Sequence, residues 1–239
     1  MAGKQKLIAV VTGDVVSSTR LEDRAFLNTA LKEAFAAAAR AEFGMMRSFE
    51  LYRGDGFQGV IDPVHALKVA LIIRARLRQW KGPVLFSAVR KRPRSGKQPM
   101  PIPPGRSPDA RISIGIGTVK HLATKVAESD GEAFVRSGHG LDALVRSTDR
   151  LAISSPWDEV NAELDVSMKL LDALVSKWSS GSAQAMFHYL GQETTQSKIS
   201  DLLDISQPAV HKRLAAAEQV AVQAAIERYE QLVTGKLKR

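Results

Sequence analysis

LIAVVTGDVVSSTR (Leu7 to Arg20) combines a strand, an aspartate and a helix start in fourteen residues. The run from Leu7 to Gly13 is short, apolar and without alternation, which reads as a strand buried on both faces. Asp14 closes that strand, at the carboxyl edge where open α/β sheets place their ligands. Ser17, Ser18 and Thr19 are natural N-cap types leading into a helix from about Leu21, and a helix N-terminus there suits an anion such as phosphate. Strand, aspartate, small polar turn and helix start together suggest a metal–phosphate site.

A second segment lies about forty residues on. Phe49 to Arg53 reads as a strand, Gly54-Asp55-Gly56 as a tight turn, and Phe57 to Ile61 as the returning strand, since an Asp-Gly step between such runs signals a hairpin. Asp55 then stands at a hairpin tip beside the first strand. Two carboxylates converging on one sheet edge repel each other unless a cation lies between them, and Mg²⁺ or Mn²⁺ with oxygen ligands and substrate phosphates meets that need.

GDVVSS, RGDGFQG, the strand RISIGIGTV and Ser129-Asp130-Gly131-Glu132-Ala133-Phe134, followed by a C-terminal helix-turn-helix pattern, resemble the SatD-like family of bacterial proteins. Through its first half the chain is also similar to the class III nucleotide cyclases. The resemblance implies an α/β (α+β) fold, with a ferredoxin-like, palm-like sheet over residues 1–155. It implies Asp14 and Asp55 as metal ligands, with Val15, Val16, Ser17, Ser18, Thr19 and Arg53 as nucleotide- or phosphate-binding residues. Two departures from the cyclase pattern bear on activity. The adenine-reading lysine falls four residues before Asp55, where this chain has Leu51. The transition-state Asn and Arg, one helical turn apart, have no counterpart in AFVRSGHGLDAL, where Arg136 is the candidate catalytic cation. Such a site keeps binding where turnover is lost, because transition-state charge stabilisation is the larger part of phosphoryl-type catalysis.

The remaining chain sets the domain plan. Leu21 to Phe43 and the stripe Ala66, Leu67, Ala70, Leu71, Ile73, Leu77 predict helices. Gly115 and Gly117 in RISIGIGTV predict a close approach by backbone or ligand, while Gly138 and Gly140 weaken the helix expected after Gly131. Leu151 to Ser155 reads as a last strand, followed by a helix to about Trp178. Ser179 to Ser182 reads as a break. Residues 156–239 then form a helical region with helix-turn-helix spacing over 183–214. Its helices are expected at Ala183 to Leu190, Gln196 to Leu203 and Gln207 to Leu214, with Ile199, Leu202, Leu203, Ile205, Val210 and Leu214 as a small core. Ser206 caps the last helix and Pro208 fits its first turn. Ser206, Gln207, His211, Lys212 and Arg213 are the candidate duplex-DNA contacts, Gln207 to a base edge and the two cations to phosphates. From Ala215 an alanine-rich helix carries the stripe Val222, Ile226, Tyr229, Val233, available for packing or for a homodimer.

Charge and composition narrow the classes. Between Pro63 and Pro108 there is no acidic residue, and eleven basic ones stand there, more than the chain's whole net charge of +9. Such a segment points to a polyanion, and at least one of Arg74, Arg76 and Arg78 is expected to leave the core side. Residues 90–108, with six prolines, read as an insertion rather than an element. The absence of cysteine excludes disulfides and thiolate metal sites and suits a reducing cytoplasm. The five histidines lack ligand-like spacing, and no apolar run reads as a signal peptide or membrane span. Two functions fit: a DNA-binding transcriptional regulator whose cyclase-like domain binds a metal-nucleotide, or a metal-dependent nucleotide cyclase or other nucleotidyl or phosphoryl enzyme with a helix-turn-helix tail.

Overall fold

A computed structural model describes residues 7–16, 18, 24–40, 48–52, 55–80, 107–121, 123, 126–192 and 195–238. The fold is mixed α/β. Five strands, β1 (Leu7–Val16), β2 (Ser48–Tyr52), β3 (Gly56–Ile61), β4 (Asp109–Thr118) and β5 (Leu151–Ser154), form one sheet in the order β2-β3-β1-β4-β5. The first four pair antiparallel with their neighbours, and β5 joins parallel to β4. Helices α1 (Arg24–Arg40) and α2 (Ala66–Leu77) are the crossovers from β1 to β2 and from β3 to β4. They cover one face, where Ala9, Val11, Val15, Phe57 and Ile114 meet Leu27, Leu31, Phe35, Leu67 and Leu71 in the main core.

Helix α3 (Glu132–Val145) crosses the opposite face, over a smaller core of Ile8, Val10, Val60, Val126 and Ala133. The close approach predicted at Gly115 and Gly117 is made by this helix. A Cβ at Gly115 would overlap the Ala133 carbonyl and the Ser137 amide, and one at Gly140 would overlap the Ser113 hydroxyl. Gly138 and Gly140 therefore do not break the helix. Gly140 gives up a side chain so that α3 can lie on the sheet. The SDGEAF segment seats the helix start. Asp130 bridges to His121, Gly131 takes φ +156, and the Glu132 carboxylate accepts from the Thr118 amide at 3.3 Å at the end of β4.

Helices α4 (Asp158–Val175), α5 (Ser180–Gln192), α6 (Gln196–Leu203), α7 (Gln207–Ala216) and α8 (Gln219–Leu237) complete the chain. The break expected at Ser179 to Ser182 is a single step, because α5 begins at Ser180 with the Ser179 hydroxyl accepting from the Ser182 amide at 3.1 Å. The alanine-rich run from Ala215 is not one helix. Glu218 adopts φ 54, separating α7 from α8. One buried cluster runs from the sheet through α2 to Met186, Leu190, Val210, Leu214 and the α8 stripe. Val222, Ile226, Tyr229 and Val233 are consumed in it, and the Tyr229 hydroxyl donates to the Pro63 carbonyl at 2.6 Å.

Of the three arginines at the end of α2, two turn into the core and Arg76 leaves it for an exposed partner. Arg74 is fully buried, donating to both oxygens of Asp109 and to Asp172. Arg78 donates to Asp109 and to the carbonyls of Ser176 and Trp178. Arg76 pairs with Glu33. Their carboxylates lie just outside the acid-free stretch or on other helices, so these three arginines find in the fold the counter-charges that their own stretch of sequence lacks. Burial alone would raise the Asp109 pKa, but Arg74, Arg78 and Arg150 together hold it well below the usual carboxylate range. The basic residues from Lys81 to Arg106 lie outside the described residues. No helix among the described residues is long and apolar enough to cross a membrane.

Candidate functional site

β1 runs two residues beyond Asp14, which therefore projects from within a strand rather than from its end. Asp14 pairs in register with Gly56 of β3 on one side and Arg111 of β4 on the other. The Asp55 carbonyl accepts from the Val15 amide at 3.0 Å, tying the hairpin tip to β1. This contact brings the two aspartates side by side. Gly13 is required beneath them, because a Cβ there would overlap the buried Phe57 ring.

On the face shared with α3, the Asp14 Oδ2 accepts from Arg111 Nη1 at 2.7 Å, while its Oδ1 is buried with no partner among the described residues. Burial raises the Asp14 pKa; Arg111 opposes that shift, and the neighbouring Asp55 charge adds to it. Asp55 is oriented by Ser18, whose hydroxyl donates to Oδ2 at 2.6 Å. One row deeper, Gln58 Nε2 donates to Thr12 Oγ1, which donates to Ser137 Oγ, each at 2.9 Å. This polar chain anchors the floor of the site to α3.

Asp14 and Asp55 are the residues able to hold Mg²⁺ or Mn²⁺, and the unpartnered Asp14 oxygen fits a hard cation. No group of three metal-ligating side chains gathers among the described residues. An ion here would complete its shell from phosphate and water, as Mg²⁺ usually does.

The other candidates fall in different places. Val15 is buried with its amide committed to Asp55, and Val16 pairs with Asp109. Ser17, Thr19 and Arg53 lie outside the described residues. Arg136 is not brought to the aspartates. It pairs with Glu132 and donates to Ser154 of β5, whose register partner Gly115 is four residues along β4 from Arg111. Four strand residues span about 13 Å. Arg111 and Gln58 were missed in the sequence, because each reads as one residue of a strand. An arginine opening the otherwise apolar RISIGIG is the one signal that could have found the first.

At the other end of the molecule, α6 and α7 are joined by a tight turn in which Asp204 takes φ 50. Ser206 caps α7 by accepting from the Ala209 amide. Ile199, Val210 and Leu214 are buried, and Gln207, His211 and Lys212 are exposed on the opposite side. Leu202 is not part of the expected core: it is 54% exposed. Arg213 folds back toward α5 and donates to Gln184 Oε1 at 3.1 Å. Trp178 Nε1 donates to the Ala217 carbonyl at 2.9 Å, fixing the end of α7 to the α4–α5 junction.

No family model, curated protein or solved structure gives a significant match to this chain.

Proposed function

We infer that this protein is a DNA-binding regulator whose sheet domain takes a metal-bound, phosphorylated ligand such as a nucleotide. The observation that carries the DNA reading is α7. It is capped by Ser206, anchored through Val210 and Leu214, and presents Gln207, His211 and Lys212 to solvent. This supports reading α7 as the recognition helix of a helix-turn-helix, with α6 as the crossing helix. The ligand reading rests on Asp14 and Asp55. The order β2-β3-β1-β4 with two crossovers on one face supports the ferredoxin-like, cyclase-like kinship that the sequence motifs suggest.

The Asp14–Asp55 pair also favours a second reading, a nucleotidyl or phosphoryl enzyme. It is the weaker one, because Arg136 is committed to Glu132 and Ser154. Among the described residues Arg111 is the cation on Asp14.

The test is selection of genomic duplex fragments by the full chain, with and without nucleoside triphosphate and Mg²⁺ or Mn²⁺. Enrichment of one sequence is expected. No enrichment, with no retardation of duplex DNA at low salt, overturns the regulator. Conversion of the nucleotide in the same mixtures would establish the enzyme.

A further inference from the structure

Helix α4 has two apolar faces. Val160, Leu164, Met168, Leu171 and Val175 are buried against the core. Diametrically opposite, Ala162, Val166, Leu170 and Ala173 share one exposed stripe, with Val166 61% and Leu170 64% exposed. At 100° per residue these four span a narrow arc, and the same arc carries Glu159 at one end and Lys177 just past the other. An amphipathic helix docked on a single core has no use for a second apolar stripe.

We propose that this stripe is the seam of a homodimer, two copies of α4 packing antiparallel about a two-fold axis at the height of Met168. The occupant follows from the sequence of the stripe, which is complementary to its own reverse. In that register Val166 of one copy meets Leu170 of the other, and the small Ala162 and Ala173 come within one residue of each other, about 1.5 Å along the axis, allowing close approach. Glu159 lies against Lys177 at both ends, so the charges are complementary as well as the shapes. The two helix dipoles run antiparallel. Glu159 also holds Lys236 of α8, and Glu163 holds Arg228, so the acidic end is buttressed from the same chain. The α8 stripe expected from the sequence to serve a homodimer is already buried within the protomer.

A seam of one helix pair falls at the small end of specific interfaces, below about 1,200 Å² in total. The dimer is therefore concentration-dependent. Two copies on one duplex would reinforce it through effective concentration.

Sedimentation of the full chain over a concentration series is the test. Its readout involves neither DNA nor nucleotide, so its result is separate from the proposed function. A reversible monomer–dimer equilibrium is expected, and Leu170→Glu should raise its dissociation constant at least tenfold with an unchanged circular dichroism spectrum. Glu159→Lys should weaken the dimer, and adding Lys177→Glu should restore it. The chain has no cysteine, so Val166→Cys combined with Leu170→Cys should give a reducible covalent dimer, faster than either single change. A monomer at all concentrations, a dimer indifferent to Leu170→Glu, or cross-linking by Val166→Cys alone as fast as by the pair would overturn the proposal.

Discussion

Arg74 of α2 donates two hydrogen bonds to the Asp109 carboxylate of β4, at 2.9 and 3.0 Å, with their side chains 0% and 1% exposed. Asp109 also receives Arg78 and Arg150, each at 2.9 Å. Taking these charges out of water is costly, and their pairing repays it only while every partner is present. The network joins the start of β4 to α2, and through Asp172 and the Trp178 carbonyl to α4 and the start of α5.

Removing one member should therefore be severe. Asp109→Asn or Arg74→Met should lower unfolding free energy by about 3–5 kcal/mol, the range for an uncompensated buried charge. Asp109→Asn should be the worse, since it leaves three guanidinium groups short of a carboxylate. Urea unfolding monitored by far-ultraviolet circular dichroism checks the order.

The same residue sets a pH dependence. The folded pKa of Asp109 lies below its unfolded value of about 3.9. Its contribution is thus complete above that unfolded value and is lost as pH falls through the lower folded one. Melting temperature should fall on acidification below about pH 4, and the Asp109→Asn variant should show a smaller fall. Equal slopes in parent and variant would refute the assignment.

Gly115 and Gly138 offer a paired test of how α3 lies on the sheet. Gly115→Ala forces a methyl into the Ala133 and Ser137 backbone and should cost about 1–3 kcal/mol. Gly138 has open space where its Cβ would stand. Gly138→Ala in the interior of α3 should stabilise by about 0.5–1 kcal/mol. Thermal unfolding of the two variants should move in opposite directions.

At the candidate ligand site, Asp14→Ala or Asp55→Ala should abolish Mg²⁺- or Mn²⁺-dependent nucleotide binding while leaving the fold intact. Isothermal titration with each nucleoside triphosphate measures it. If both variants bind like the parent, the metal assignment is wrong.

On α7, Gln207→Ala should relax sequence preference, a bidentate base contact being worth about 1–3 kcal/mol of discrimination. Lys212→Ala should weaken all sequences alike and reduce the salt slope of binding by about 0.9. Arg213→Ala should change that slope less, because Arg213 is held by Gln184. Band-shift titrations over a salt series distinguish the three.

Local pattern was enough to place most elements. The apolar run from Leu7, the Asp55 hairpin, and the Thr195 and Ser206 caps of α6 and α7 are each specified by neighbours in the chain, because strand period, turn type and capping are short-range properties. The adjacency of Asp14 and Asp55 was likewise legible, since a hairpin paired beside a strand brings its tip against that strand, although β1 continues two residues past Asp14. Ionic partners over long separations were not. Arg74 is paired across 35 residues with Asp109 and across 98 with Asp172, so Arg74 and Arg78, which the sequence places only on a helix, become a buried hub. Tertiary packing likewise committed Arg136 and Arg213 to neighbours, buried the α8 stripe against Pro63 and exposed one of α4. The sequence shows that a face is apolar or charged. Which face finds a partner depends on where the rest of the chain lies, and periodicity carries no information about that.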